Sequence, residues 1–335
     1  MRKIFGACVA GILFGSILFG CDDSKPFRQY EGVAWNTSFH ITYASNVPLD
    51  DSIRTLMNMI EMSLSPFNSN SLLSRINKNE SDSIDDLIRR VYEKSVWVNK
   101  VSHGSFDPTL GPLISLWGFG PGNSIKNLPD KSEIDSVMQH VGINECRLAD
   151  DSHIVKKDSL MEFNFSAVAK GYGCDLVSQM LLRNGCKDYM VEIGGEIVVN
   201  GKSPRRGPWR VMIDAPIPSN DSIIHDGMAV IEVDSCSMAT SGNYRNYRLI
   251  DGRMVGHTID GITGYPSNSR VLSVTVIAPE CIIADGLATA CMAMDLEHAY
   301  SMIDSLPDTE ALFVTMSLDR QWELHPTPGF PTIDR

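Results

Sequence analysis

Asp285 and Thr289 stand four residues apart in the run Ala284-Asp285-Gly286-Leu287-Ala288-Thr289. On a helix that spacing puts a carboxylate and a hydroxyl on one face. Both are hard oxygen donors, suited to Mg²⁺ and not to zinc, and such a pair leaves positions open for phosphate oxygens and water. The plainer alternative is that Asp285 caps the helix and Thr289 packs inside it. A second group is Asn164-Phe165-Ser166-Ala167-Val168-Ala169-Lys170-Gly171-Tyr172. Its polar turn opens a helix whose first residues are small, so a ligand can approach the backbone. Free N–H groups at a helix start attract anions, and Lys170 adds a mobile positive charge. An ordinary helix start with a solvated lysine is the competing reading.

The segment from Phe106 to Gly120 crowds two prolines, three glycines and three aromatics into Phe106-Asp107-Pro108-Thr109-Leu110-Gly111-Pro112-Leu113-Ile114-Ser115-Leu116-Trp117-Gly118-Phe119-Gly120. Such a loop can offer backbone groups and a ring face to a flat heterocycle. It can equally be a structural turn closed by a core tryptophan. A fourth group joins Ala239-Thr240-Ser241-Gly242-Asn243-Tyr244 to His257-Thr258-Ile259-Asp260-Gly261-Ile262-Thr263-Gly264-Tyr265-Pro266. His257 suits a ligand, a base or a hydrogen-bonded loop residue.

These residues need elements to position them. Apolar spacing predicts helices over 50–64, with Asp50 as a cap, and over 84–101, 131–140, 166–184 and 283–294. Gly185 stops the fourth of these. Strands are expected over 189–200, 209–214 and 271–278, the first two joined by the polar turn 202–208. Gly194-Gly195 reads as a bulge or a close backbone approach, and 123–130 as a loop. In 271–278 the alternating set is Leu272, Val274, Val276 and Ala278. Strands and helices mix without strict βαβ alternation, so an α+β fold is expected.

The 335 residues carry a formal net charge of -12, 43% hydrophobic residues and eight cysteines. That composition is globular and long enough for a substantial core. The acidic balance argues against a nucleic-acid partner. Arg2 and Lys3 precede the uncharged apolar run Ile4 to Gly20, and Cys21 follows Gly20. This is the layout of a secretory signal and resembles a bacterial lipobox. The expectation is cleavage before Cys21, lipidation of that residue and two-acyl membrane anchoring. An uncleaved transmembrane anchor is the alternative. Residues 1–20 are thus read as signal peptide, 21–31 as lipidated cysteine and tether, 32–325 as one catalytic domain and 326–335 as a tail. Cys146, Cys174, Cys186, Cys236, Cys281 and Cys291 form no C-x-x-C pair, and they read as buried small hydrophobes or as partners in a disulfide or two.

In this order, the motifs resemble the ApbE family of FAD:protein FMN transferases. The resemblance rests on Phe106-Asp107-Pro108-Thr109-x-Gly111-Pro112-Leu113 with Trp117 to Gly120, on Ala169-Lys170-Gly171-Tyr172 with Asp175, and on Gly194-Gly195. It continues through Ala239 to Gly242, His257-x-Ile259-Asp260, Gly264-x-Pro266 and Ala284-Asp285-x-x-Ala288-Thr289. It implies an ApbE-like, T-fold-like arrangement of mixed sheets and packed helices, with a flavin site in a central cleft. It implies FAD as substrate, Mg²⁺ as cofactor and transfer of FMN to a threonine hydroxyl of a target protein with release of AMP. The implied partners are exported or membrane-bound flavin-accepting subunits of electron-transfer complexes. The implied location is the membrane, through a lipid anchor facing the periplasm.

By the same resemblance the metal falls on Asp285, Thr289 and, through its carbonyl, Ala167. FAD contacts fall on Trp35, Phe67, Trp117, Gly118, Phe119, Asn164, Lys170 and Ile259. His257 and Asp285 are the candidate bases. The sequence departs from the family pattern at Asn36, where glycine is usual, at Asn164, where aspartate is usual, and at Ser166, a common glycine. FAD hydrolysis to FMN and AMP, or flavin binding without turnover, are the alternative activities. An older assignment of such proteins to thiamine precursor metabolism finds no support in these residues.

Overall fold

Apolar residues repeating every second position commit much of the chain to strands. The computed structural model describes residues 25–120, 125, 127–217, 226–243, 247–250 and 253–334. Cys21 and the leader lie outside the described residues, as does part of the 123–130 loop.

The first half of the chain contains β1 (Phe27–Ala34), β2 (Thr37–Ala44), α1 (Asp50–Leu64), α2 (Leu72–Asn77), α3 (Asp86–Val101), α4 (Gly111–Leu116) and α5 (Lys131–Met138). There follow β3 (Arg147–Asp150), β4 (His153–Val155), α6 (Ser166–Arg183), β5 (Tyr189–Ile193), β6 (Glu196–Asn200), β7 (Trp209–Asp214) and β8 (Gly227–Val233). The last part holds β9 (Ser235–Gly242), β10 (Tyr247–Ile250), β11 (Arg253–Gly256), β12 (Val271–Ala278), α7 (Cys281–Ala293), α8 (Leu296–Asp304), β13 (Glu310–Met316) and β14 (Trp322–Pro326).

Eight strands form one sheet in the order β1-β2-β5-β6-β9-β12-β13-β14, antiparallel at every junction. The fold is α+β, as expected. Helices α6 and α7 lie on one face, with α1 and α3 packed outside them. The β7–β8 ribbon covers the other face through Val211, Ile213 and Ile231. Strand periodicity sorts the core: Val191 and Val276 face the helices, whereas their neighbours Met190 and Ile277 face the ribbon. Each such fully buried aliphatic side chain contributes about 1.5–3 kcal/mol. Helix α7 is buried without a break from Cys281 to Ala288, the condition that lets a helix be apolar all round. Among the described residues no helix is long and apolar enough to cross a membrane.

Several local expectations change. Strand β1 begins at Phe27 and pairs with β2 along its whole length, so residues 27–31 belong to the sheet and not to a tether. The segment after 325 also belongs to the fold: Thr327 and Phe330 are buried, and Asp334 pairs with Val230. Asp50 is no cap. It is the first residue of α1, and its carboxylate accepts the Tyr43 hydroxyl at 2.7 Å. Strand β7 pairs with β8, not with the preceding strand. A register shift between Val271 and Ser273 brings Val271 into the core in place of Leu272. Gly194 and Gly195, at φ 66° and 102°, form a two-residue hairpin turn between β5 and β6, where the backbone twist demands positive φ. The bulge expected there is absent, while the close approach is present.

Helix α7 has no side-chain cap of its own. Asp175, from the middle of α6, supplies it: its two carboxylate oxygens accept the N–H groups of Cys281 and Ile282, each at 2.9 Å. One helix thus satisfies the orphan donors of the next. Burial pushes the Asp175 carboxyl up to about 6, against these two hydrogen bonds. An acid whose pKa is higher folded than unfolded favours folding at low pH, and that share is lost as pH rises from the unfolded towards the folded value. Asp175→Ala is therefore expected to lower the unfolding free energy by about 1–2 kcal/mol in urea melts at neutral pH. Asp175→Asn keeps an acceptor and cannot ionise. Its melting temperature should gain on the wild type as pH rises from 3.8 to about 6 and level off above that, and a difference independent of pH would contradict the raised carboxyl.

Candidate functional site

Helices α6 and α7 touch backbone to backbone because Gly171 has no side chain. A Cβ there would lie 2.3 Å from the Cys281 carbonyl oxygen and 2.8 Å from the Asp285 Cβ. Further along, Gly286 of α7 meets Val168 of α6. The two helices therefore run past each other so that the start of α6, with Ala167, lies towards the Asp285–Thr289 stretch.

Asp285 sits in the fifth position of α7, so it does not cap the helix. It is 2% exposed, and its Oδ2 accepts the Gly171 N–H at 3.0 Å. Thr289 is half-buried, and its hydroxyl lies 3.5 Å from the Ser241 hydroxyl at the end of β9. Lys170 is not a mobile surface charge. Its ammonium is 2.7 Å from Glu196 Oε1 and 3.8 Å from Asp285 Oδ1. Glu196 opens β6 directly after the glycine turn and is almost fully buried. Sequence reading missed it; a glutamate after Gly-Gly at the head of the apolar strand Ile197-Val198-Val199 is the signal that was available.

Two buried carboxylates share one ammonium here. Burial, with the charge of Asp285 beside it, pushes the Glu196 carboxyl up to about 8, against the pull of Lys170. Burial also raises Asp285, opposed by Lys170 and the Gly171 N–H. Burial alone would lower Lys170, but Asp285 and Glu196 outweigh it and hold the ammonium charged. The second oxygen of Glu196, Oε2, is buried with no hydrogen-bond partner. Among the described residues no cluster of three or more His, Cys, Asp and Glu side chains could hold a metal. One carboxylate, one hydroxyl and a backbone carbonyl nevertheless fit Mg²⁺, which keeps several positions for water and phosphate oxygens.

The β1–β2 turn lies against the same helix. Trp35 and Asn36 occupy it at φ 53° and 60°. The Trp35 indole reaches Gly173 of α6, and Thr37 lies against Gly194. Lys170 also runs past Gly194, with its Cδ 3.2 Å from where a Cβ would be. The structure thus gathers Trp35, Lys170, Asp285 and Glu196 around the start of the β5–β6 hairpin.

The proline-rich loop is fixed by Asp107, whose carboxylate accepts the Thr109 hydroxyl at 2.6 Å and the N–H groups of Thr109 and Ile143 at 2.8 and 2.9 Å. The Thr109 hydroxyl in turn accepts the Gly142 N–H at 2.7 Å. Trp117 is a core residue, with its indole N–H on the Gly264 carbonyl at 2.9 Å, and it shares a buried cluster with Ile259. Gly118, at φ 79°, then turns the chain so that Phe119 remains only partly buried. His257 lies edge-on to Phe119 at 6.4 Å between ring centres, and the Arg248 guanidinium is 5.4 Å from the same ring. The next residue, Thr258, donates its hydroxyl to Asn243 at 2.9 Å. The end of β9 therefore links the His257 loop to Thr289.

Asn164 lies just before α6, its side-chain oxygen accepting the Ser166 N–H at 2.9 Å in an Asx turn. It also lines a cavity of about 140 Å³ with Pro66, Asn77, Ser115 and Gly120. Phe67, next to Pro66, is 53% exposed and free to meet a ligand. The six described cysteines are all unpaired. Burial pushes the Cys146 and Cys236 thiols up to about 12, so neither is a ready nucleophile.

A sequence model of the ApbE family matches residues 35–313. A Vibrio cholerae FAD:protein FMN transferase is 33% identical over 299 residues, covering 86% of this chain and 88% of that protein. The Escherichia coli K12 protein of the same description is 30% identical over 81% of this chain and 78% of its own. The solved Vibrio cholerae flavin transferase ApbE superposes with a TM-score of 0.80 at 30% identity, covering 91% of this chain and 98% of that one. The apo Pseudomonas stutzeri flavinyl transferase ApbE gives 0.80 at 27% identity, covering 91% and 96%.

The helix contact at Gly171 sets the geometry of the whole cluster. Gly171→Ala is expected to force α6 and α7 apart and cost about 1–3 kcal/mol of stability, as overpacked sites do. A chemical melt unchanged from wild type would show that the contact is not tight.

Proposed function

The chain belongs to the ApbE family, and from that premise we propose that it transfers the FMN half of FAD onto a threonine hydroxyl of a target protein, releasing AMP. The buried Lys170–Glu196–Asp285 cluster at the α6–α7 contact carries this reading. It places a held positive charge beside a carboxylate and a hydroxyl on one helix face, which is what a diphosphate held through a cation requires. In the reaction the threonine oxygen forms a bond to the FMN phosphorus. The P–O bond to the AMP phosphate breaks, and AMP leaves with that electron pair.

Asp285, Thr289 and the Ala167 carbonyl would hold Mg²⁺. When bound, the ion supplies Lewis-acid polarisation of the diphosphate and neutralises charge on the leaving phosphate. Lys170 adds positive potential to the same group. Phe119, Trp35 and Phe67 offer ring faces to the flavin and adenine, and Asn164 contributes a hydrogen-bonding amide edge at the rim. Trp117 and Ile259 hold the Gly118–Phe119 turn from below. Of the two candidate bases, Asp285 already spends Oδ2 on Gly171 and faces Lys170 with Oδ1. His257, on a loop beside the Phe119 ring, is read as the acceptor of the threonine proton.

The protein acceptor is read as an exported or membrane-bound flavin-carrying subunit. The enzyme itself is read as a periplasm-facing lipoprotein held to the membrane through Cys21. Removal of residues 1–20 takes away Arg2 and Lys3, so the charge of -12 becomes -14.

Incubation with FAD, Mg²⁺ and a threonine-bearing acceptor subunit should give in-gel flavin fluorescence on the acceptor together with AMP. AMP and free FMN without a labelled acceptor would mean hydrolysis instead, and FAD binding with neither product would mean a flavin carrier. Chelation should stop the reaction and added Mg²⁺ restore it. Asp285→Asn should reduce the rate by about 100-fold or more, the loss of several kcal/mol of charge stabilisation. An undiminished rate would remove Asp285 from the metal site. Cys21→Ser should abolish palmitate labelling in cells, and labelling that persists would overturn the anchor.

A further inference from the structure

Lys170 faces two carboxylates and makes a close contact with only one. Its ammonium is 2.7 Å from Glu196 Oε1, whereas Asp285 Oδ1 is 3.8 Å away, beyond hydrogen-bond length. The other oxygen of Asp285 is committed to the Gly171 N–H. Oδ1 is therefore the oxygen that remains to a cation, and Lys170 is the charge positioned to compete for it.

The hairpin turn fixes which acid wins. Glu196 follows Gly194 and Gly195 without freedom to move: the Gly195 N–H is held by Glu192 Oε1 at 2.7 Å, and the Glu196 carbonyl accepts the Cys174 thiol at 3.2 Å. The absent side chain at Gly194 leaves room for the Lys170 stem to pass. Both acids are buried to a similar degree, with side chains 3% and 2% exposed, so water does not stand in for a lost partner. Without the Glu196 Oε1 in place, the ammonium would have Asp285 as its remaining carboxylate.

We infer that Glu196 is a positioning residue that holds the Lys170 ammonium off Asp285 and so keeps Asp285 Oδ1 open to a divalent cation. This rests on the metal reading proposed above. It adds a role for a residue that neither the metal nor the flavin contacts include.

The test is binding of Mn²⁺ alone, read from the loss of the free-ion electron paramagnetic resonance signal, on the purified wild type and three variants. Glu196→Leu, which removes the acceptor oxygen, should bind about tenfold more weakly or worse, the usual scale for losing an outer partner of a metal ligand. Adding Lys170→Met to it should restore affinity to within about threefold of wild type, because the competitor is gone. Lys170→Met alone should bind at least as tightly as wild type, and this holds as a test even if Glu196→Leu fails to fold. Wild-type affinity in Glu196→Leu, no recovery in the double variant, or weaker binding in Lys170→Met would each overturn the role of Glu196. If the wild type binds no Mn²⁺, the metal reading itself falls, and with it this inference.

Discussion

The approach of α6 to α7 at Gly171 governs where every charged group of the site can stand. With a hydrogen in place of a side chain, α6 comes within contact of the Cys281 carbonyl and the Asp285 Cβ. That closeness lets the Gly171 N–H reach Asp285, and it lets Asp175, one turn further on, cap the first turn of α7. The cap of α7 and the Gly171–Asp285 hydrogen bond are thus set by the same contact, four residues apart on each helix. A helix buried all round would otherwise start with unpaired donors in a dry interior, at a cost of about 1–3 kcal/mol each.

The electrostatics follow from that packing. Two acids share one lysine in a desolvated space, where an unpaired charge is strongly unfavourable. The same arrangement explains why the carboxyl pKa values move upward while the lysine remains charged. The hairpin at Gly194–Gly195 is what brings the third member in: it is short because both glycines take positive φ, and it therefore aims the first side chain of β6 back at α6.

Much of the secondary structure was legible because it rests on local signals. Asp85 and Asp130 cap α3 and α5 through their own side chains, and α1 and α6 follow their apolar stripes to within a residue. The four-residue spacing of Asp285 and Thr289 does fall on one helix, and Lys170 stands on the helix expected for it. Non-local features were not legible. Trp117 is equally suited to stack on a ligand or to fill a core, and only the position of the Gly264 carbonyl decides for the core. The pairing of Lys170 with Glu196 joins a helix to a strand 26 residues later through a turn, and nothing periodic in the sequence relates the two. The sheet membership of residues 27–31 likewise depends on β2, because a polar edge strand carries little hydrophobic pattern.

The departures from the family pattern lose much of their force once the backbone is considered. Asn36 stands where glycine is usual, in a turn position at φ 60°. Asparagine is the side chain that tolerates this region best after glycine, so the hairpin geometry survives. Asn164 replaces an aspartate, and the work it does in this structure is to accept the Ser166 N–H at the head of α6. Asparagine and aspartate both make such a turn with the N–H two residues on. In each case the substituted residue meets the local backbone requirement. What changes is one charge at the rim of the cavity that Asn164 lines.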